Sequence, residues 1–239
     1  MHNNRYITIY TLVIALITSV VLALVVSVLK PRHDINEEIF KKKEILGAIK
    51  DQLGKDPYKL KDEEVLKLFS EKIEQVVIDA QGNPLENMKA EAINLASEEK
   101  KPKAERHYPL FIFNSENEKT FLLSIRGNGL WDKIWGYIAL NSDLTTISGS
   151  AFGHAAETPG LGAEIKDNPN FPKMFIGKQI YEADKFVAIK VIKGGTANNA
   201  HAVDAISGAT ITSNGVADML YNGLYAYLPY LEKLRSNKK

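Results

Sequence analysis

An uninterrupted apolar segment near the N-terminus places the strongest limit on how this chain can fold. From Ile7 to Leu29, 23 successive residues carry no charge and are rich in valine, leucine and isoleucine. As a helix rising about 1.5 Å per residue, the segment is roughly 34 Å long, which is enough to cross a hydrocarbon core of about 30 Å. A signal peptide has a shorter apolar core, and here Lys30-Pro31-Arg32 follows the segment directly. The sequence therefore predicts an uncleaved membrane helix over residues 7–29, preceded by a short tip over residues 1–6.

The composition of the chain excludes several classes of function. Thirty Lys and Arg residues against 29 Asp and Glu residues give a net charge of +1, so there is no broad positive field to attract nucleic acid. The chain has no cysteine, which excludes disulfides, thiolate-ligated metal centres and a cysteine nucleophile. Its five histidines follow no metal-ligand spacing, and no Gly-x-Ser-x-Gly nucleophile elbow occurs. We therefore expect neither a metal site nor a hydrolase.

The remaining residues predict a soluble α+β domain joined to the membrane helix by a stalk. Residues 30–61 are charge-dense, which is typical of a solvated stalk or linker. Apolar residues at helical spacing predict an amphipathic helix over residues 62–78. Helical periodicity returns over residues 212–234, where Pro229 is expected to kink or end the helix. Between these helices, short β-branched or aromatic runs predict a mainly antiparallel sheet with strands at residues 109–113, 121–125, 135–140, 144–150 and 186–192.

The segment from Val203 to Asn214 carries the most informative chemistry. It lies at the predicted start of the C-terminal helix and contains four hydroxyl residues and two small ones: Ser207, Thr210, Thr212, Ser213, Gly208 and Ala209. Unpaired backbone N–H groups and the positive end of the helix dipole make such a helix start an anion site, which small residues let a phosphate approach. The alternative is an ordinary Ser/Thr N-cap after a turn. The general physics alone favours the ordinary cap.

The string Asp204-Ala205-Ile206-Ser207-Gly208-Ala209-Thr210 resembles the flavinylation motif of FMN-binding domains, Asp-x-x-Ser/Thr-Gly-Ala-Thr. In that family a flavin transferase uses FAD to join FMN, through its phosphate, to the hydroxyl of the final threonine. The resemblance implies that Thr210 carries covalent FMN as a phosphoester, with Thr212 as a nearby alternative acceptor. The resemblance also implies that Asp204 holds the loop or assists the transfer of FMN. The simpler interpretation of Asp204 is an Asx turn. The residues expected around the phosphate are Ser207, Gly208 and Ala209.

Two further segments are similar to flavin-contacting loops of the same family. The string Glu157-Thr158-Pro159-Gly160-Leu161-Gly162 resembles the loop that lies along the flavin ring, although Pro-Gly by itself indicates only a tight turn. In the segment 127–132, Trp131 is expected to stack on the flavin. Lys193 is expected near the phosphate or the ring, and the alternative for it is an exposed strand charge. For the loop over residues 157–162, the resemblance implies four contacts with the flavin ring: Glu157, Thr158, Leu161 and Gly162.

The order of these segments behind a single membrane helix resembles the C subunits of Na⁺-translocating NADH:quinone oxidoreductases. The resemblance is strongest over residues 105–230, so we expect a soluble FMN-binding domain over residues 62–239 with its flavin core at about 105–230. It implies a one-electron carrier, not catalytic alone, between a membrane iron–sulfur centre and the FMN of the B subunit. The route runs from NADH to ubiquinone and is coupled to Na⁺ export. No Gly-x-Gly-x-x-Gly motif follows a predicted strand, so NADH is expected to bind elsewhere in the complex.

The same resemblance implies partners and a location. The expected partners are the other subunits of the complex, notably the B, D and E subunits, together with a flavin transferase during maturation and membrane lipid. The family places such a chain in the bacterial inner membrane, with the N-terminal tip in the cytoplasm and the soluble domain in the periplasm. The Lys and Arg residues that follow the membrane helix favour the opposite orientation. We give the family resemblance more weight.

Two alternatives remain open from the sequence. The G subunit of an Rnf-type electron-transport complex shares the anchor, the domain and the motif, with ferredoxin and NAD as end partners. A membrane-anchored binding or scaffold domain without a redox role would need the segment 203–214 to be an ordinary helix start. The scaffold alternative predicts a colourless protein.

Overall fold

A computed structural model of the chain describes residues 4–115 and 118–236. The first three residues of the predicted tip lie outside these ranges, as do residues 116–117 and 237–239 of the predicted soluble domain. The chain divides into two compact units, residues 1–41 and 42–239. The boundary between them falls within a long first helix.

The described residues contain eight α-helices and ten strands. In chain order the helices are α1 (Asn4–Gly47), α2 (Lys50–Leu53), α3 (Asp62–Lys72), α4 (Leu95–Glu98), α5 (Glu164–Asp167), α6 (Asn170–Lys173), α7 (Thr210–Tyr225) and α8 (Leu228–Ser236). The strands are β1 (Ile73–Ile78), β2 (Pro84–Leu85), β3 (Tyr108–Asn114), β4 (Lys119–Asn128), β5 (Lys133–Leu140), β6 (Ile147–His154), β7 (Tyr181–Glu182), β8 (Lys185–Phe186), β9 (Lys190–Ile192) and β10 (Ala202–Asp204). Short 3-10 helices lie at Pro57–Lys59, Ala90–Ala92 and Lys103–Glu105.

Helix α1 contains the predicted membrane segment. Among the described residues it is the one helix long and apolar enough to cross a membrane. The large apolar side chains of residues 7–29 are exposed, as lipid-facing side chains are. The hydroxyls of Thr8, Thr11 and Ser27 donate to backbone carbonyls four residues earlier, at 2.8–2.9 Å. These polar groups are therefore satisfied within the helix, as the interior of a bilayer requires.

The soluble unit is built on an antiparallel sheet. Within the described ranges the sheet has six strands in the order β2-β1-β3-β4-β5-β6, and each neighbouring pair is antiparallel. Two small ribbons lie outside it, antiparallel β7–β8 and parallel β9–β10. The run predicted at 186–192 is divided between these ribbons. The predicted fold class is confirmed: an N-terminal apolar helix, an α+β domain with a mainly antiparallel sheet, and a C-terminal helix.

Alternation along the strands gives the sheet two buried faces. On one face Ile125 of β4 lies against Gly223 of α7, which runs along this strand. Neighbouring side chains on a strand point to opposite faces. Leu122 is fully buried on the second face, and the Thr120 hydroxyl donates there to Gln52 at 3.0 Å. Strand β4 is therefore apolar along most of its length because both of its faces are covered.

The helix predicted over residues 62–78 is wrong in its last third. Helix α3 ends at Lys72, and the following residues form β1, which pairs with β3 from Ile73 opposite Phe113 to Ile78 opposite Tyr108. The β-branched residues of this stretch favour a strand. Pairing with β3 therefore outweighs the helical spacing of the apolar residues.

The sequence predicts a solvated stalk over residues 30–61, and the structure differs from this beyond Lys41. The compact soluble unit begins at residue 42. Ile45, Leu46 and Ile49 are at most 2% exposed. The prediction fails here because a charge-dense stretch conceals a short group of apolar residues that belongs to the core.

Two charged residues near the start of this core segment, Lys42 and Glu44, are buried and paired. Lys42 forms an ion pair with Glu91 at 2.8 Å. The indole N–H of Trp135 on β5 donates to the Glu44 carboxylate at 3.0 Å, and Glu44 is itself buried. These contacts hold the last turn of α1 to the second face of the sheet.

The outer strands of the sheet are short or covered. Strand β2 has two residues. At the other edge, the Ile147 N–H donates to the Lys178 carbonyl and the Gly177 N–H donates to the Ile147 carbonyl, both at 2.8 Å. Helices α5 and α6 also pack against β6.

The predicted break near Pro229 divides the C-terminal helical segment in two. Helix α7 ends at Tyr225, and Pro229 lies in the first turn of α8. Between the helices, the side chain of Tyr227 is fully buried. Its hydroxyl shares one proton between the carbonyl oxygens of Pro109 and Ser124, each 2.8 Å away. This contact anchors the end of α7 to β3 and β4.

Candidate functional site

Helix α7 begins at Thr210 with an open first turn. Its N-cap residue is Ala209, and no side chain of the described residues caps it. The first N–H groups of a helix lack partners within the helix and carry the positive end of its dipole. Gly208 precedes them with a φ of 77°, a left-handed conformation that suits glycine. Because Thr210 is exposed, the start of α7 can hold an anion that is attached through its hydroxyl.

Two other hydroxyls of the same segment are buried and hydrogen-bonded. Thr212 and Ser213 are each 1% exposed. The Thr212 hydroxyl donates to Glu157 Oε2 at 2.6 Å, and the Ser213 hydroxyl accepts the backbone N–H of Ile206 at 3.1 Å. Ser207, like Thr210, is exposed. The fold therefore separates the hydroxyls that hold the segment in place from those that face outward.

The carboxylate of Glu157 joins three segments of the chain. Glu157 is 5% exposed, and its Oε1 accepts the backbone N–H of Trp131 at 3.0 Å while Oε2 accepts the Thr212 hydroxyl. Burial by itself would raise the pKa of Glu157. Hydrogen bonds from the Thr212 hydroxyl and from the backbone N–H groups of Trp131, Asp132 and Leu130 outweigh burial and hold this pKa below its ordinary value. The carboxylate is therefore ionised at neutral pH.

Two glycines make room for this carboxylate. A Cβ atom at Gly129 or at Gly162 would overlap the carboxylate oxygens of Glu157. At Gly162 it would also lie 2.6 Å from the Thr212 hydroxyl. Both positions therefore require glycine because the backbone approaches the buried charge closely.

Large apolar side chains lie exposed around this start of α7. Trp131 is 68% exposed and Leu161 is 42% exposed. The indole N–H of Trp131 donates to the Thr158 hydroxyl at 3.0 Å. Leu161 lies against Gly208, where a Cβ atom would be 3.0 Å from its Cδ2. Exposed apolar groups beside an anion site suit a ligand that combines a flat ring with a phosphate.

Asp204 and Lys193 flank the turn between β9 and β10. The Asp204 carboxylate accepts both the hydroxyl of Thr196 at 2.6 Å and its backbone N–H at 3.2 Å. Asp204 therefore fixes the Gly194-Gly195 turn to β10. Lys193 is exposed at the start of that turn, and the described contacts do not join it to Thr210 or to Trp131.

Sequence reasoning assigned no individual role to several residues that build this site. Thr196 and Ser213 hold the segment before α7, and Gly129 accommodates the Glu157 carboxylate. The hydrogen bond between Glu157 and Thr212 joins residues 55 positions apart. No local pattern indicates such a pair. The capping preference of serine at a helix start is the one signal that points to Ser213.

These features fit FMN. The open first turn of α7 suits its phosphate, the exposed Thr210 hydroxyl offers a point of attachment, and Trp131 and Leu161 offer apolar surface to a ring. Fold and site together define an FMN-binding domain that follows a helix long and apolar enough to cross a membrane.

Comparisons with known proteins give the family. Residues 129–225 match the FMN-binding domain family. The chain is 32% identical to the C subunit of the Na⁺-translocating NADH-quinone reductase of Pseudomonas aeruginosa, over 93% of this chain and 94% of that protein. It is also 32% identical to the corresponding protein of Neisseria meningitidis serogroup A, over 95% of this chain and 93% of that protein. A crystal structure of the C subunit from Parabacteroides distasonis is 34% identical, with a TM-score of 0.75, over 85% of this chain and 96% of that one. The chain belongs to the family of C subunits of Na⁺-translocating NADH-quinone reductases, as its motifs predict.

Proposed function

We propose that this chain carries FMN covalently on Thr210 and acts as a one-electron carrier in a membrane NADH:quinone oxidoreductase that exports Na⁺. Membership in the C-subunit family supports the complex, and the FMN-binding domain supports the cofactor. The contrast between two threonines supports the attachment site. Thr210 is exposed at the open first turn of α7, whereas the Thr212 hydroxyl is buried and bound to Glu157. FMN supplies the electron-transfer chemistry, and the protein supplies its position and surroundings.

The proposed attachment is a transfer from FAD. The Thr210 hydroxyl oxygen attacks the FMN-side phosphorus of FAD on a flavin transferase. The phosphoanhydride bond to AMP breaks, AMP leaves with the electron pair, and the threonine proton passes to a base of the transferase. The phosphodiester that forms keeps one negative charge at the start of α7, where the helix dipole favours an anion. The residues proposed around this phosphate are Ser207, Gly208 and Ala209.

The residues around the start of α7 are proposed to position the flavin ring for electron transfer. Trp131 and Leu161 offer apolar surface to the ring. Lys193, which is exposed, is proposed to bring a positive charge near the phosphate or the ring. A covalent bond suits a carrier because dissociation of the flavin would interrupt electron transfer. In this proposal the FMN of this chain carries electrons between a membrane iron–sulfur centre and the FMN of the B subunit. The proposed docking partners are the B, D and E subunits.

A denaturing gel viewed under ultraviolet light tests the attachment site. The full chain is co-expressed with a flavin transferase and compared with Thr210→Val and, as the matched control, Thr212→Val. We expect fluorescence that survives SDS in the wild type and in Thr212→Val, and none in Thr210→Val. The reverse result for the two variants would move the bond to Thr212. A colourless wild type in the presence of active transferase would overturn the carrier role and favour a scaffold domain.

We also propose that the soluble unit lies in the periplasm and that α1 is its anchor in the inner membrane. The chain has no cysteine, so a single Glu63→Cys substitution on the exposed surface of α3 gives one labelling site. A membrane-impermeant maleimide is expected to label this variant in intact spheroplasts. Labelling that requires lysis would place the domain in the cytoplasm, as the charge distribution favours.

A further inference from the structure

Glu157 is a buried charge in an otherwise open site. Its carboxylate is 5% exposed, whereas Trp131, Leu161 and Thr210 around it are exposed. The 2.6 Å distance from the Thr212 hydroxyl lies in the range of about 2.5–2.7 Å expected for a hydroxyl that donates to a carboxylate. Such charge-assisted hydrogen bonds are roughly twice as strong as neutral ones. The charge therefore contributes to the arrangement of the site without facing solvent.

The two oxygens of this carboxylate serve two different parts of the site. Oε1 accepts the backbone N–H of Trp131, in the loop formed by residues 129–132, which we name the Trp131 loop. Oε2 accepts the hydroxyl of Thr212, two residues after Thr210 in the first turn of α7. The next residue, Thr158, accepts the indole N–H of Trp131. Adjacent residues Glu157 and Thr158 therefore accept hydrogen bonds from both the backbone and the ring of Trp131.

Packing provides a second, less directional contact between α7 and this region. Gly215 lies against the backbone carbonyl of Asn128, at the end of β4. That contact is on the second turn of α7. Within the described residues, the Glu157 carboxylate is the group that hydrogen-bonds both the Trp131 loop and the first turn, where the attachment residue lies.

We propose that Glu157 is a positioning residue, whose carboxylate couples the Trp131 loop to the first turn of α7. The coupling holds the exposed indole at a fixed place relative to Thr210. This inference deepens the proposed function, since it assigns the geometry of the flavin site to a residue that need not touch the flavin. A carboxylate suits the role because both of its oxygens accept hydrogen bonds.

The coupling is measurable in flavin-free protein through the mobility of Trp131. The chain has two tryptophans, so subtracting the signal of Trp131→Phe isolates the fluorescence anisotropy of Trp131 in the full chain. We expect high anisotropy in the wild type and its loss in Glu157→Ala. Glu182→Ala, at an exposed glutamate on β7, is the matched control and is expected to match the wild type.

A double-mutant cycle separates coupling from a local effect. Thr212→Val removes a hydroxyl that bonds Glu157 and leaves the hydrogen bonds of the Trp131 loop intact. If Glu157 carries the coupling, Thr212→Val lowers the anisotropy of Trp131 and has no further effect in Glu157→Ala. Unchanged anisotropy in Thr212→Val, or an equal loss in both backgrounds, would overturn the proposal.

A neutral variant keeps the test decisive if Glu157→Ala does not fold. In Glu157→Gln the amide oxygen can accept the backbone N–H groups, and the Thr212 hydroxyl can turn to accept the amide N–H. We expect this variant to recover part of the Trp131 anisotropy, and the cycle with Thr212→Val can be repeated in it. Circular dichroism checks that each variant is folded. Because no flavin is present, failure of attachment at Thr210 would leave this result unaffected.

Discussion

Replacing Leu46 with alanine is expected to destabilise the soluble unit, although this residue follows a charge-dense stretch that resembles a stalk. Leu46 is fully buried in the last turn of α1. Leu66, on α3, is 39% exposed and provides a matched substitution in another helix. The two variants remove the same three carbon atoms, so their difference reports burial alone.

The size of the effect follows from the buried side chain. Three buried carbon groups at about 0.8 kcal/mol each correspond to roughly 2.4 kcal/mol of transfer free energy. The cavity left behind adds to this, which brings the expected loss to about 3 kcal/mol, within the range of 2–5 kcal/mol typical of buried leucines. In a unit of this size, about 3 kcal/mol lowers Tm by roughly 6–12 °C. Leu66→Ala is expected to change the free energy of unfolding by less than about 1 kcal/mol.

Thermal unfolding of the detergent-solubilised chain, followed by near-ultraviolet circular dichroism, measures the difference. This signal comes from aromatic side chains in fixed surroundings, and both tryptophans and eight of the ten tyrosines lie in residues 42–239, so it reports the soluble unit. A Tm for Leu46→Ala equal to that of Leu66→Ala would refute the inclusion of residues 42–49 in the core. That result would support the solvated stalk that the sequence predicts for these residues.

Three further perturbations test other parts of the structure. Tyr227→Phe is expected to cost about 1–3 kcal/mol in urea denaturation, since it removes the buried hydroxyl that donates to the carbonyls of Pro109 and Ser124; a wild-type urea midpoint would contradict this. Gly215→Ala is expected to destabilise by about 1–3 kcal/mol because its Cβ would overlap the Asn128 carbonyl, whereas Asn214→Ala, exposed on the same helix, should change unfolding by less than about 0.5 kcal/mol. The lowered pKa of Glu157 predicts a contribution to stability that is complete above the ordinary glutamate pKa of about 4.3 and is lost as pH falls through the folded value. The stability gap between wild type and Glu157→Gln should therefore narrow in acid, and a constant gap from pH 7 to pH 3 would argue against an ionised carboxylate.

The sequence predicts most of the scaffold because its signals are local. The apolar run over residues 7–29 follows from composition, and the central strands of the sheet follow from short β-branched and aromatic runs. Residues 73–78 show the limit of such signals, since their apolar spacing is compatible with a helix and pairing with β3 decides for a strand. Residues 45–49 show another limit, because neighbouring charges that are paired in the fold look solvated in the sequence.

The candidate site is predictable where it is contiguous. The string from Asp204 to Thr210 identifies the start of α7 through a family motif. The two threonines differ in that the Thr212 hydroxyl is buried and bound to Glu157, 55 positions away, whereas Thr210 is exposed. That distinction comes from tertiary contacts and has no counterpart in the local sequence.

The two edge strands of the sheet affect whether copies of this chain can associate with one another. A protein anchored by an apolar helix is confined to a surface, where copies collide at high local concentration. An open strand edge would let neighbouring copies add strand to strand and aggregate. Here β2 is two residues long, and the start of β6 is hydrogen-bonded by residues 177–178. Both edges of the sheet are therefore partly blocked against strand-to-strand association, which the proposed anchor would otherwise favour.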